Sequence, residues 1–203
     1  MSLAMNRARS RWWACVFGIS ALGGLSVLAC DSSSPSEVLI RDASEIQPLV
    51  LNSSGPAIYS DSVSFFAVAG ETRKAELFFQ DSSGQKGERL LRFEVDDDAL
   101  YQYPDGTRIQ EGDSVLITIR ISNPGSLQFD FEPSGLTFST QEPAELEVRY
   151  GQVQGLTQDE VQLAVWMQET TGAPYQRLRS RVDPQRREVE ADVPGFSKYA
   201  VAY

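Results

Sequence analysis

From about residue 61 to the C-terminus the chain is expected to fold as an all-β antiparallel sandwich of roughly ten strands. Apolar residues recur with a period of two in segment after segment, and clusters of turn-forming residues separate those segments at short intervals. The only helical signal is Thr157 with Glu160, whose spacing is that of a capping box and which predicts one turn.

Taken in order, the chain begins with a segment that is not part of the sandwich. Arg7, Arg9 and Arg11 form a positive end, and no charged residue occurs between Trp12 and Ala29. A positive end that stays cytoplasmic, followed by an apolar stretch that enters the bilayer, is the physical logic of a secretory signal peptide. Val27-Leu28-Ala29 immediately before Cys30 resembles the bacterial lipobox. That resemblance implies a signal peptide over residues 1–29 and a Cys30 that carries palmitate-type acyl chains as the first residue of the mature protein. The alternative is an uncleaved membrane anchor, since about 18 apolar residues is close to the minimum span. Residues 31–37 (Asp-Ser-Ser-Ser-Pro-Ser-Glu) have nothing to bury and read as the start of a tether. The domain plan is therefore signal peptide 1–29, lipidated N-terminus and tether 30–60, and sandwich 61–203. Localisation follows as the bacterial cell envelope, with the membrane partner reached through the N-terminal lipid. Asp31 after the cysteine resembles the enteric signal for retention in the inner membrane.

Composition narrows the chemistry. Removing residues 1–29 with their three arginines leaves 174 residues, with 15 basic against 28 acidic side chains and a formal charge of −13. That balance argues against nucleic acid and against docking on anionic lipid through basic patches. Cys15 lies in the signal and Cys30 is the acylation site, so no disulfide is expected in the sandwich. The chain has no histidine, which removes His-based triads, His-metal sites and the commonest general base. No cofactor is expected.

Residues 38–60 alternate apolar patches with Pro48 and Pro56 and are expected to be an extended lead-in with room for one edge strand. The predicted strands then run over 64–68, 74–80, 89–95, 114–121, 127–132, 145–150, 161–168, 175–182, 188–193 and 197–201. Asp81-Ser82-Ser83-Gly84 and Pro104-Asp105-Gly106 supply turns. In 114–121, Val115, Ile117, Ile119 and Ile121 share one face, as Leu127, Phe129 and Phe131 do in the next strand. Glu145, Glu147 and Arg149 alternate with Leu146, Val148 and Tyr150, which reads as a solvated face opposite a buried one.

Phe131-Glu132-Pro133-Ser134-Gly135-Leu136-Thr137-Phe138, followed by Pro143 to Tyr150, resembles the central strands of the β-sandwich module shared by ankyrins, netrin receptors and zonula occludens proteins. The tail ending Phe196-Ser197-Lys198-Tyr199-Ala200 resembles the last hairpins of secreted bacterial sandwich domains. The whole arrangement is similar to uncharacterised envelope lipoproteins of Gram-negative bacteria. Some relatives of the eukaryotic module cleave their own backbone at a His-Phe-Ser tripeptide. Here the sequence is Gly195-Phe196-Ser197, so that resemblance implies a candidate nucleophile without its base. The competing reading makes Phe196 a core residue and Ser197 the start of the last strand.

Two further groups are candidates for binding. Asp96, Asp97 and Asp98 could offer oxygen ligands to Ca²⁺, although they lack the alternating spacing and glycine of a calcium loop, and a solvated loop is the competing reading. Trp166, Tyr101, Tyr103 and Tyr175 could form a sugar-stacking platform, against the plainer alternative of core and edge cover. The expected function is that of a membrane-anchored, non-enzymatic interaction or scaffolding lipoprotein with an envelope protein or glycan as partner. A carbohydrate- or peptidoglycan-binding lipoprotein is the alternative, and a self-cleaving or hydrolytic domain at Ser197 is a second alternative.

Overall fold

A computed structural model of the chain describes residues 38–156 and 159–203. The signal segment, Cys30, the stalk to residue 37 and Thr157 lie outside the described residues. One compact unit spans Glu37–Tyr203.

The unit is an antiparallel β-sandwich. Its strands are β1 (Ile40–Arg41), β2 (Ser62–Val68), β3 (Arg73–Gln80), β4 (Lys86–Val95), β5 (Leu100–Gln102), β6 (Ser114–Ile121) and β7 (Gln128–Glu132). After these come β8 (Thr137–Phe138), β9 (Ala144–Arg149), β10 (Ala164–Gln168), β11 (Tyr175–Arg177), β12 (Ser180–Asp183), β13 (Glu188–Val193) and β14 (Lys198–Ala202). A seven-stranded sheet has the order β1-β11-β10-β14-β7-β6-β2, a five-stranded sheet has the order β12-β13-β9-β4-β3, and β5 and β8 form a small third sheet. Ile117, Ile119, Phe129, Phe131, Val165 and Tyr199 from the first sheet meet Leu77, Phe93, Leu146, Val148 and Val189 from the second in one core. The period-two pattern of β6 becomes a strict alternation of buried and outward-facing residues, with Leu116 on the outward face beside Ser114, Thr118 and Arg120.

The excess over the predicted strands has local causes. β1, β5 and β8 are two or three residues long, too short to show a period. The predicted strand over 175–182 divides at Leu178 and Arg179, where the chain leaves the seven-stranded sheet as β11 and joins the five-stranded one as β12. Ser180 fixes this corner. Its hydroxyl donates to the Leu178 carbonyl (3.1 Å) and accepts from Val165 N–H (3.0 Å). Strands that switch sheets in this way form the corners of sandwiches. Residues 160–162 make a single 3₁₀ turn capped by Asp159, whose carboxylate accepts from Val161 N–H, so the turn starts at Asp159 rather than at the capping box expected from Thr157. The turn after β3 forms as its residues require. Asp81 Oδ1 accepts from Ser83 and Gln85 N–H (both 2.8 Å), and Gly84 takes φ +74°.

Residues 38–60, placed with the tether by the sequence reading, are laid onto the sandwich, and the edge strand for which that lead-in has room forms as β1 beside β11. Leu49 N–H donates to the Val201 carbonyl (2.8 Å) while its own carbonyl accepts from Leu127 N–H (2.9 Å), which threads it against β14 and the start of β7. Its side chain enters the main core. Ile46 covers the outer face of the seven-stranded sheet, where it packs with Ala164, Trp166, Ala202 and Tyr175. Short, proline-interrupted apolar patches give no periodic signal, yet a few buried side chains suffice to bind such a segment. Among the described residues no helix is long and apolar enough to cross a membrane.

Candidate functional site

Ser197 precedes β14 at the end of the sandwich where three other stretches converge: the end of β7 (Asp130, Phe131, Glu132), the turn into β8 (residues 134–137) and the loop after β10 (residues 169–171). The backbone holds this corner tightly. Phe131 N–H donates to the Ser197 carbonyl (3.1 Å), Gly135 N–H to the Phe196 carbonyl (3.1 Å), and Phe196 N–H to the Leu136 carbonyl (2.7 Å). Phe196 is buried in an aromatic cluster with ring centroids 5.6 Å from Phe93, 5.4 Å from Phe131 and 5.2 Å from Phe138. Edge-on and tilted contacts of this kind are favoured by the ring quadrupoles and add to the burial itself. Phe196 is thus the core residue of the plainer sequence reading.

Position 195 has no room for a side chain. A Cβ built on Gly195 would stand 2.8 Å from the Leu136 carbonyl oxygen. The close approach of two backbones therefore explains the glycine. The Gly195 carbonyl accepts a hydrogen bond from the Tyr199 hydroxyl, four residues on, which resembles the tyrosine corner of other sandwiches. Burial pushes the Tyr199 phenol far above its ordinary range, with the nearby Ser197 hydroxyl acting in the opposite direction. Ser197 Oγ nevertheless makes no hydrogen bond of proper geometry. Lys198 faces away from it, with Nζ 3.9 Å from Asp130 Oδ1, as alternation along an extended segment requires.

Around Ser197 lie two adjoining hollows. The first, of about 350 Å³, includes Asp130, Glu132, Glu169, Thr171 and Lys198 in its wall. The second, of about 400 Å³, includes Thr137, Met167, Pro194 and Gly195. Ser134, Glu169, Thr170 and Ser197 belong to both. Together they make a cleft of the size that small ligands occupy.

The other candidates are not brought together. Trp166 is fully buried. Ile46 packs on it, its Nε1 donates to the Ala202 carbonyl (3.4 Å), and the Arg41 guanidinium lies 5.2 Å from its ring centre. Tyr175 joins that cluster, whereas Tyr101 is on β5 under Arg108 (3.9 Å) and Tyr103 packs against the main core. The sugar platform is therefore not assembled from these four residues. Asp96, Asp97 and Asp98 form the turn between β4 and β5. Ala99 N–H donates to the Asp96 carbonyl and Gly70 N–H to that of Asp97. Among the described residues no group of three or more acidic, cysteine or histidine side chains is placed to hold a metal ion.

A feature that sequence reasoning missed lies on the outer face of the five-stranded sheet. Glu147, which alternation assigns to a solvated surface, is only 9 % exposed, and Glu188 on the neighbouring strand only 8 %. Arg89 bridges both carboxylates (2.5 and 2.9 Å), Arg92 also reaches Glu147 (2.9 Å), and Arg149 reaches Glu188 (3.1 Å). Strand register decides this, because Arg92 lies opposite Glu147 and Arg149 opposite Glu188. Pairings of that kind are set between strands distant in sequence, and a single strand's pattern does not contain them. Glu145, on the same face between Glu94 and Asp192, has its carboxyl held above the usual range by burial and then by Glu147. No family model, curated protein or solved structure matches this chain.

Proposed function

We propose that the chain is an envelope lipoprotein, joined to a membrane by lipid on Cys30, whose sandwich acts by non-enzymatic binding or scaffolding. The positive, apolar and lipobox-like run before Cys30 supports the anchoring. For binding rather than catalysis, one observation carries most weight: the wall of Gly195 excludes any side chain from the place where self-cleaving relatives of the resembled module carry their base. Lys198 is turned toward Asp130, and the buried Tyr199 phenol keeps its proton. A serine hydroxyl without a base is a poor nucleophile. Intact-mass measurement on fresh and aged protein tests the reading. The expected result is an uncleaved Phe196–Ser197 peptide. Release of the C-terminal fragment beginning at Ser197, abolished by Ser197→Ala, would refute it.

A further inference from the structure

Val38, Leu39 and Ile40 open the sandwich and are all exposed, Ile40 by 61 %. β1 is the outermost strand of the seven-stranded sheet and β12 of the five-stranded one. The corner at Leu178 and Arg179 runs from β11, the neighbour of β1, to β12, so the two edges form one side of the domain. Arg177 N–H donates to the Leu39 carbonyl (2.9 Å), which sets the apolar trio beside the arginines of that corner. Adjacent exposed apolar side chains mark a surface that meets something other than water.

Net charge does not say where charges sit. The mature chain is acidic as a whole, but residues 38–41 and 175–183 hold Arg41, Arg177, Arg179 and Arg181 against Asp183 alone. Arg41 is turned onto Trp166 and the Tyr203 carbonyl, and Arg181 onto Glu190. Arg177 and Arg179 are exposed, and among the described residues neither is in an ion pair. Asp42 and Glu45 lie in the turn after β1, where the Glu45 carboxylate accepts from the Asp42 N–H (3.1 Å). Guanidinium groups beside aliphatic side chains match a lipid headgroup layer, whose phosphates take the planar donors and whose upper acyl region takes the apolar groups. β1 has only two residues, so a peptide or a second copy would gain few backbone hydrogen bonds by adding a strand there. A fluid lipid surface needs no register.

We propose that this side of the sandwich rests on an anionic bilayer surface, with Val38, Leu39 and Ile40 in the headgroup layer and Arg177 and Arg179 on lipid phosphates. The inference rests on the reading of Cys30 as the lipid anchor. Seven residues, 31–37, separate Cys30 from Val38, and the stretch spans at most about 28 Å at about 3.5 Å per residue. The anchor therefore keeps the trio within reach of the headgroups.

Ile40→Cys in the full chain leaves one free thiol after processing, since Cys15 departs with the signal and Cys30 is acylated. An environment-sensitive fluorophore on that thiol is observed in vesicles of phosphatidylethanolamine and phosphatidylglycerol. Its emission is expected to shift to the blue and to be quenched by lipids brominated in the upper acyl chain. The same fluorophore on Phe66→Cys, in β2 at the opposite edge of the sheet, should stay in water. Both side chains are exposed, so neither substitution threatens the fold. Arg177→Gln and Arg179→Gln should each lower the docked-to-undocked ratio about fivefold, the effect of one cation at an anionic surface, and phosphatidylcholine vesicles should lower it at least as far. Absence of lipid quenching at position 40 would overturn the proposal, including the case where a second copy shields the fluorophore instead. Equal quenching at 40 and 66, or quenching indifferent to both arginines and to lipid charge, would overturn it too. Mass spectrometry of the same sample separates the two readings. Cys30 without acyl chains overturns the lipoprotein reading and this inference with it, whereas an acylated Cys30 with an unquenched fluorophore overturns the inference alone.

Discussion

Shortening Ile46 to alanine should destabilise the whole sandwich, although Ile46 precedes the first long strand by more than a dozen residues. Ile46 is 6 % exposed and covers Trp166, Ala164 and Ala202. The substitution removes three carbons, worth about 2.4 kcal/mol at roughly 0.8 kcal/mol per buried methylene. A residual cavity would add to this, since Ile→Ala changes in cores cost about 2–5 kcal/mol. The site is peripheral and the lead-in segment can settle onto the gap, so the cost is expected near 2–3 kcal/mol, against about 5–15 kcal/mol for a typical domain. In the chain lacking residues 1–29, Trp166 is the sole tryptophan and reports directly on this contact. Urea unfolding followed by its fluorescence should show a lower midpoint for Ile46→Ala with a single transition. Val50→Ala, at a side chain that is 49 % exposed, should stay within about 0.5 kcal/mol of the parent. A loss below about 1 kcal/mol for Ile46→Ala, or a separate early transition of the Trp166 signal, would show that residues 38–60 are a detachable tether after all.

Three other outcomes follow from the same features. Cys30→Ser should abolish palmitate labelling and detergent partitioning, and continued labelling of the variant would end the lipoprotein reading. Gly195→Ala should cost about 1–3 kcal/mol in denaturant unfolding, as overpacking does, because its Cβ would press on the Leu136 carbonyl and neither backbone can yield cheaply; a neutral effect would mean that the corner is looser than it looks. Glu145 has a carboxyl raised by burial, so the native state holds its proton more tightly than the unfolded chain. Its contribution is therefore favourable at low pH and lost as pH rises through the raised value. Glu145→Gln should raise the melting temperature at neutral pH and leave it unchanged near pH 3, and the opposite ordering would refute the assignment.

Most of the sandwich was legible because its strands bury one face each. The limits of β6 and β13 coincide with the period-two runs that predict them. Short strands and the corner at Leu178 were not legible, since a change of sheet depends on partners such as Val165 rather than on any local pattern. The cleft was legible only in part. Gly195, Ser197 and Lys198 drew notice as a departure from a known tripeptide. Asp130 and Glu132 fall on the polar side of the alternation in 127–132, and nothing in that strand's own pattern shows that Asp130 lies opposite Lys198 of β14. Glu147 departs from the solvated face that its strand predicts for the same reason, with its partners Arg89 and Arg92 lying 58 and 55 residues away.

The strand made last, β14, lies at the centre of the seven-stranded sheet, between β10 and β7, and Leu49 joins its hydrogen-bonding scheme. The two halves of that sheet cannot be joined before residues 198–202 have left the ribosome. The core facing it has no complete lid until then. For a chain that must cross a membrane as an extended thread, as proposed above, this order of assembly acts as a delay: early segments have little stable structure to fall into while the signal is being recognised. On that proposal, folding is deferred to the far side, where the first and last stretches of the domain can meet.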